Sequence, residues 1–237
     1  MHTNLPNLSI ALRVLSRLLA YPDSRLRVDL IDMRAALHAD SALGAGRKNE
    51  LYALMQKLET GDPIRNESEF VELFDRGRST SLHLFEHVHG DSRDRGPAMI
   101  DLVKTYEQAG LYLAPGELPD YLPVMLEFAA TQTPQIARSF LGEMAHLLNA
   151  IFNALQQRKS PYACVLGALL ELAGEQAHAV RIEPDEAIDA AWEEPVVFDG
   201  CSSKGQAKSG QPQAIHFVKN DASGLRSSGA AHTGVSS

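Results

Sequence analysis

TPQIARSFLGEMAHLLNAIFNALQQ, residues 133–157, is the stretch that decides the fold. Ala137, Phe140, Leu141, Met144, Leu148, Ile151 and Leu155 recur every three or four positions, which puts them on one side of an α-helix of about six turns. Thr133 and Pro134 stand at its start, where an N-cap hydroxyl and a first-turn proline belong. A helix of this length with one apolar face needs other helices to cover it.

The flanking segments supply them. Ser160-Pro161 opens a further helix that is apolar through Leu172, and upstream Leu122, Met125, Leu126 and Phe128 form a helix with Pro123 in its first turn and Asp120 placed to cap it. Before the turn Ala114–Pro119, the sequence Gly96-Pro97 opens a helix with the stripe Met99, Leu102, Val103 and Tyr106, and Gly110 suits a left-handed cap at its end. At the N-terminus Leu8, Ala11, Leu12, Leu15, Leu18 and Leu19 share a face, with Arg13, Ser16 and Arg17 opposite. Tyr21-Pro22-Asp23 stops that helix. A second is predicted over 24–38 with Leu26, Leu30, Met33 and Leu37 inward, a third from the Gly44-Ala45-Gly46 break to Leu58, and a fourth carrying Phe70, Val71, Leu73 and Phe74. An acidic helix is predicted from Pro184 to Trp192. No alternating strand pattern and no internal repeat interrupts this reading, so the fold class is all-α: a single helical bundle over residues 1–199.

From residue 200 the chain is rich in Gly, Ser, Ala and Gln and lacks the apolar density that offsets the entropy of ordering, so 200–237 is expected to be a mostly disordered tail. Its one apolar run, Ala214–Val218, is a candidate extended docking segment.

Charge and cysteine usage narrow the function classes. The formal net charge is −8. Four cations and one anion after Gly200 give the tail +3, which leaves −11 on the first 199 residues. Such a body repels nucleic acid and attracts basic peptides. The two cysteines, Cys164 and Cys201, make neither a disulfide framework nor a Cys-rich zinc site, and a reduced, cytoplasmic setting fits them. Arg13 and Arg17 interrupt the N-terminal apolar run, so it is neither a signal segment nor a membrane span, and no stable membrane insertion is expected.

One short motif points to an enzyme. His83, Glu86 and His87 have the spacing H-x-x-E-H, in which two imidazoles one helical turn apart hold zinc and the carboxylate activates a bound water. His89 is a further imidazole nearby, and a third ligand would come from Glu143, Glu171 or Glu175 on later helices. The motif fixes only three positions, and no β-scaffold stands ready to present a substrate. Local hydrogen bonding of Glu86, His87 and His89 is the competing reading. No nucleophile elbow, phosphate loop or dinucleotide fingerprint occurs, and Glu117 with Asp120 reads as a capping pair.

The polar blocks carry a more specific signal. FDRGRSTSLHLFEHVHGDSRDRG (74–96), then MIDLVKTYEQAGL (99–111) and ELPDYLP (117–123), closely resemble the NarJ-type nitrate reductase molybdenum cofactor assembly chaperones, within the wider class of all-helical molybdoenzyme chaperones. The resemblance runs from Leu8 to Trp192. The family has an apolar residue where this chain has His83, so the first zinc ligand lies outside the family pattern. The resemblance implies a dedicated chaperone without catalytic residues, metal or cofactor of its own. Its partner would be the apo catalytic (alpha) subunit of respiratory nitrate reductase, bound through an N-terminal peptide until the molybdenum cofactor is inserted and kept from the membrane meanwhile. The cofactor-delivery machinery would be a further partner. Alternatives are a chaperone for a different molybdoenzyme and the zinc-dependent hydrolase using His83, Glu86 and His87. The residues expected to form the client-peptide groove are Phe74, Arg76, Arg78, Glu86, His87, His89, Arg93, Arg95, Glu117, Leu118, Asp120, Tyr121, Leu122 and Glu127. They fall in polar clusters that flank apolar helices, and binding residues commonly sit on such loops.

Overall fold

The computed structural model describes residues 6–89 and 93–179. The predicted helix 184–192, the boundary at 199/200 and the Ala214–Val218 segment lie outside the described residues. Nine α-helices are found among those described: α1 (Ser9–Leu18), α2 (Ser24–Ala39), α3 (Ala45–Thr60), α4 (Pro63–Phe74), α5 (Leu84–Val88), α6 (Arg95–Gln108), α7 (Leu122–Thr131), α8 (Pro134–Gln157) and α9 (Ala163–Ala173). A 3-10 turn at Arg78–Thr80 joins α4 to α5, and no strand occurs among the described residues.

The helix starts follow from the residues that precede them. The Asp23 carboxylate accepts the Leu26 N–H of α2 at 2.8 Å, and Asp62 does the same for Arg65 of α4 at 2.8 Å, with Pro63 in the first turn. Each satisfies a first-turn donor that the helix itself leaves unpaired. Thr133 caps α8 through the Ile136 N–H, as its sequence position predicts. At the end of α6, Gly110 takes φ +77°, and the Leu111 N–H reaches back to the Tyr106 carbonyl at 2.9 Å. That left-handed geometry is unstrained only for glycine or nearly so.

α9 sits at the centre. All of its residues are buried except Glu171, as befits a helix apolar on every side. A short turn through Lys159 brings it back along α8, and it also packs against α1 and α3. Gly167 lets the Arg47 guanidinium of α3 lie across α9, and Glu171 accepts the Gly44 N–H at 2.8 Å while facing Arg47 at 3.5 Å. α7 lies against α1 and α8.

Two sequence expectations are corrected. Ser16, assigned to the polar face of α1, is 2% exposed and donates to the Pro123 carbonyl of α7 at 2.9 Å. A small residue between apolar neighbours can turn inward when a carbonyl awaits it, which periodicity alone does not reveal. In α6 the stripe is only half covered: Tyr106 is buried, while Met99, Leu102 and Val103 are partly exposed.

Candidate functional site

The blocks 81–89 and 117–123 are far apart in sequence and zipped together in space. His83 and Tyr121 form an isolated antiparallel bridge. The Leu84 N–H donates to the Asp120 carbonyl at 3.0 Å, and the Leu122 N–H donates to the Leu82 carbonyl at 2.8 Å. This pairing delivers the Asp120 side chain, fully buried, to the start of α5.

There the carboxylate accepts the Phe85 N–H at 3.3 Å and meets His83 Nδ1 at 3.4 Å and the Arg95 guanidinium at 3.6 Å. Asp120 therefore caps α5 from across the fold. It does not cap α7, whose N-cap is Tyr121 with no side-chain bond. The expectation of a cap was right in kind and wrong in helix, because the acceptor's own following residue reached the N-cap position first. Arg95 also faces Glu86 at 3.6 Å, and Glu86 accepts the Ser81 hydroxyl at 2.6 Å. A buried carboxylate held by a cation, an imidazole and a backbone donor satisfies the usual condition for taking charge out of water.

The aromatic residues of the junction tie it to its surroundings. The Tyr121 ring stacks on His83 with centroids 5.1 Å apart, and its hydroxyl donates to the Leu19 carbonyl at 3.4 Å. The Tyr106 hydroxyl donates to the Pro119 carbonyl at 2.8 Å. Burial pushes the Tyr121 phenol up to about 12 and raises that of Tyr106 as well, so both remain protonated donors near neutral pH. The hydrogen bond with Asp120 raises the His83 pKa above the ordinary imidazole value, against an opposing effect of partial burial.

The zinc geometry is not assembled. His83 precedes α5 as its N-cap, so it does not share a helix face with His87. The His87 ring donates through Nε2 to the Ser81 carbonyl at 2.9 Å, while the His83 ring turns to Asp120. Among the described residues no group of three or more His, Cys, Asp or Glu is placed to hold a metal ion.

The fourteen residues named from the sequence divide between several places. Glu86, His87, Arg95, Asp120 and Tyr121 meet at the junction, and His89 packs edge-on to Phe85 at 5.4 Å. Phe74 and Leu122 are core residues, with Phe74 packed on Phe70 and Tyr162. Arg76 pairs with Glu72 at 3.3 Å, and Arg78 and Arg93 are exposed. Leu118 is 45% exposed. Glu117 and Glu127 line a groove of about 500 Å³ between α1, α7 and the loop after α6.

That groove has an apolar floor of Tyr106, Leu113, Val124 and Phe128, with Leu111 and Tyr112 beside it and Arg13 and Arg17 on the α1 wall. Tyr106 belongs to both places, lining the groove with its ring and bracing the junction with its hydroxyl. Arg13, Tyr112 and Val124 are not among the fourteen residues expected to form the client-peptide groove. Arg13 reads as a solvated helix face, and only the packing of α1 on α7 turns that face into a groove wall.

No helix among the described residues is long and apolar enough to cross a membrane. The helical arrangement is shared with a crystal structure from Archaeoglobus fulgidus described as a "Putative Redox Enzyme Maturation Protein", which superposes with a TM-score of 0.52 at 19% identity, over 71% of this chain and 94% of that one. At that identity the likeness concerns the fold. The sequence comparisons are narrower. Residues 40–166 match the family model described as nitrate reductase delta subunit. The chain is 42% identical over 198 residues to the nitrate reductase molybdenum cofactor assembly chaperone NarJ of Escherichia coli strain K12, covering 79% of this chain and 84% of that protein. It is 37% identical over 196 residues to the "Probable nitrate reductase molybdenum cofactor assembly chaperone NarW" of the same strain, covering 78% and 82%. The chain belongs to this family of NarJ-type chaperones, as the motifs of residues 74–123 imply.

Proposed function

We propose that this protein is a dedicated chaperone for respiratory nitrate reductase. It binds the apo catalytic subunit, holds it while the molybdenum cofactor is inserted, and delays its docking at the membrane until then. The observation that carries this reading is the 42% identity to a nitrate reductase cofactor-assembly chaperone across most of both chains. The architecture supports a binding role rather than a chemical one. Its most polar cluster is occupied with internal bonds, and the open, apolar-floored groove beside it has the character of a peptide site.

We further propose that the groove, with Glu117 and Glu127 on its rim, receives the N-terminal peptide of the catalytic subunit as an amphipathic helix. The net negative charge of the body speeds encounter with a basic peptide. Asp120, Tyr121 and Leu122 then support the groove from beneath, through Tyr106 and α7. The test is co-purification. Immobilised protein should retain the apo catalytic subunit and release the cofactor-loaded form. Equal retention of both, or of neither, would contradict the reading.

A further inference from the structure

On the reading that the groove holds a client peptide, we propose that Arg13 and Glu127 select its charge pattern: the bound helix carries a carboxylate opposite Arg13 and a cation opposite Glu127, flanking an apolar stripe. Four charged side chains line the groove. Two are already satisfied by the protein. Arg17 pairs with Asp23 at 3.0 Å and Asp29 at 3.1 Å, and Glu117 accepts the Ala114 N–H at 2.9 Å. Arg13 and Glu127 are exposed, and neither has an ion-pair or hydrogen-bond partner among the described residues. They stand on two neighbouring helices, α1 and α7, that line the same groove.

In the free protein water solvates both groups at no penalty. A helix seated on Val124 and Phe128 removes that water. Each charge it covers must then be met by an opposite charge, or the desolvation counts against binding. An occupant with only basic residues would satisfy Glu127 and leave Arg13 covered against like charge. This separates two roles that net charge alone would merge. The acidic body steers basic peptides toward the chaperone, and Arg13 rejects those that lack a suitably placed acid. The ligand class is therefore an amphipathic helix of mixed charge, not a generic basic peptide.

Calorimetry with a synthetic peptide of the catalytic subunit's N-terminus tests this. The protein is used as wild type, Arg13→Glu and Glu127→Lys. The peptide is used as such and in versions with each acidic residue in turn changed to Lys and each basic residue in turn changed to Glu. Both protein positions are exposed, so both variants should fold, and thermal unfolding checks that. Arg13→Glu should weaken the parent peptide by about tenfold or more, since unpaired interfacial charges act on that scale. One acid-to-Lys peptide should then bind Arg13→Glu more tightly than it binds wild type, and one base-to-Glu peptide should do the same for Glu127→Lys. Unchanged affinity in both variants, or weakening that no peptide reverses, overturns the inference. If wild type binds no version, the peptide reading itself falls and this inference with it; binding indifferent to Arg13 and Glu127 overturns the inference alone.

Discussion

Asp120→Ala is expected to destabilise the protein by about 3 kcal/mol, the scale for removing one partner of a buried ion pair. In a domain of this size that corresponds to a fall in melting temperature of roughly 6–12 °C. The Asp120 side chain is fully buried and supports three groups at once. Its loss leaves the Phe85 N–H without its acceptor at the start of α5, the Arg95 guanidinium without its buried counter-charge, and His83 without its partner. Asp120→Asn keeps an acceptor for Phe85 and should lose less. The effect depends on pH in a defined direction. Asp120 raises the folded-state pKa of His83, so the protonated imidazole adds stability that is fully present below its unfolded value of about 6.5. That contribution fades as pH rises through the raised folded value. The stability gap between wild type and Asp120→Ala should therefore be widest in mildly acidic solution and narrow above it, without closing, because the Arg95 ion pair and the Phe85 N–H bond to Asp120 remain. Thermal unfolding of both proteins across that range measures it. A gap that is independent of pH would remove the His83–Asp120 interaction from the account, and a gap near zero would remove the junction altogether.

The second large effect is expected at Gly77, inside the F-D-R-G-R block. Its φ is −89°, a value open to any residue, so backbone freedom is not what the position needs. It needs space. A Cβ there would run into the Leu73 carbonyl, the Thr80 hydroxyl and the Arg158 guanidinium. The first is backbone at the end of α4, and the second is itself bonded to that carbonyl, so neither can move away freely. Gly77→Ala should cost about 2–3 kcal/mol, at the upper end for overpacking a tight site. Gly96 is the matched control. It lies within α6 and also within a family block, but a Cβ there meets nothing within 4 Å. Gly96→Ala should lose far less, since the better helix propensity of alanine offsets the restriction that Pro97 places on a side chain at the residue before it. Denaturant titration of the two variants compares them directly. Similar stabilities for both would mean that the approach at Gly77 relaxes without penalty.

The contrast between these glycines shows what one sequence can and cannot disclose. The longest helix was legible from internal signals: α8 through its period and through Thr133–Pro134 at its start, because these are neighbours in the chain. The apolar run of α9 announced a buried helix for the same local reason. What stayed hidden was set by partners remote in sequence. Asp120 caps a helix that begins at Leu84, and Ser16 turns inward for a carbonyl at Pro123. The motif residues Glu86, Arg95, Asp120 and Tyr121 come from three separate stretches, and only the fold gathers them into one junction. The groove beside it draws on Arg13, Tyr112 and Val124, whose types are unremarkable until α1, α7 and the loop after α6 are brought together. His83 and His87 show the converse. Their spacing matched a metal site, and the break between a bridge residue and a helix residue separated them.

A chaperone that acts on an immature reductase should be needed for that enzyme's metal content. The direct measurement is the molybdenum content of the nitrate reductase catalytic subunit isolated from cells lacking this gene. The subunit should be present but largely devoid of molybdenum, and expression of this chain should restore the metal. Full metallation in its absence would contradict the account.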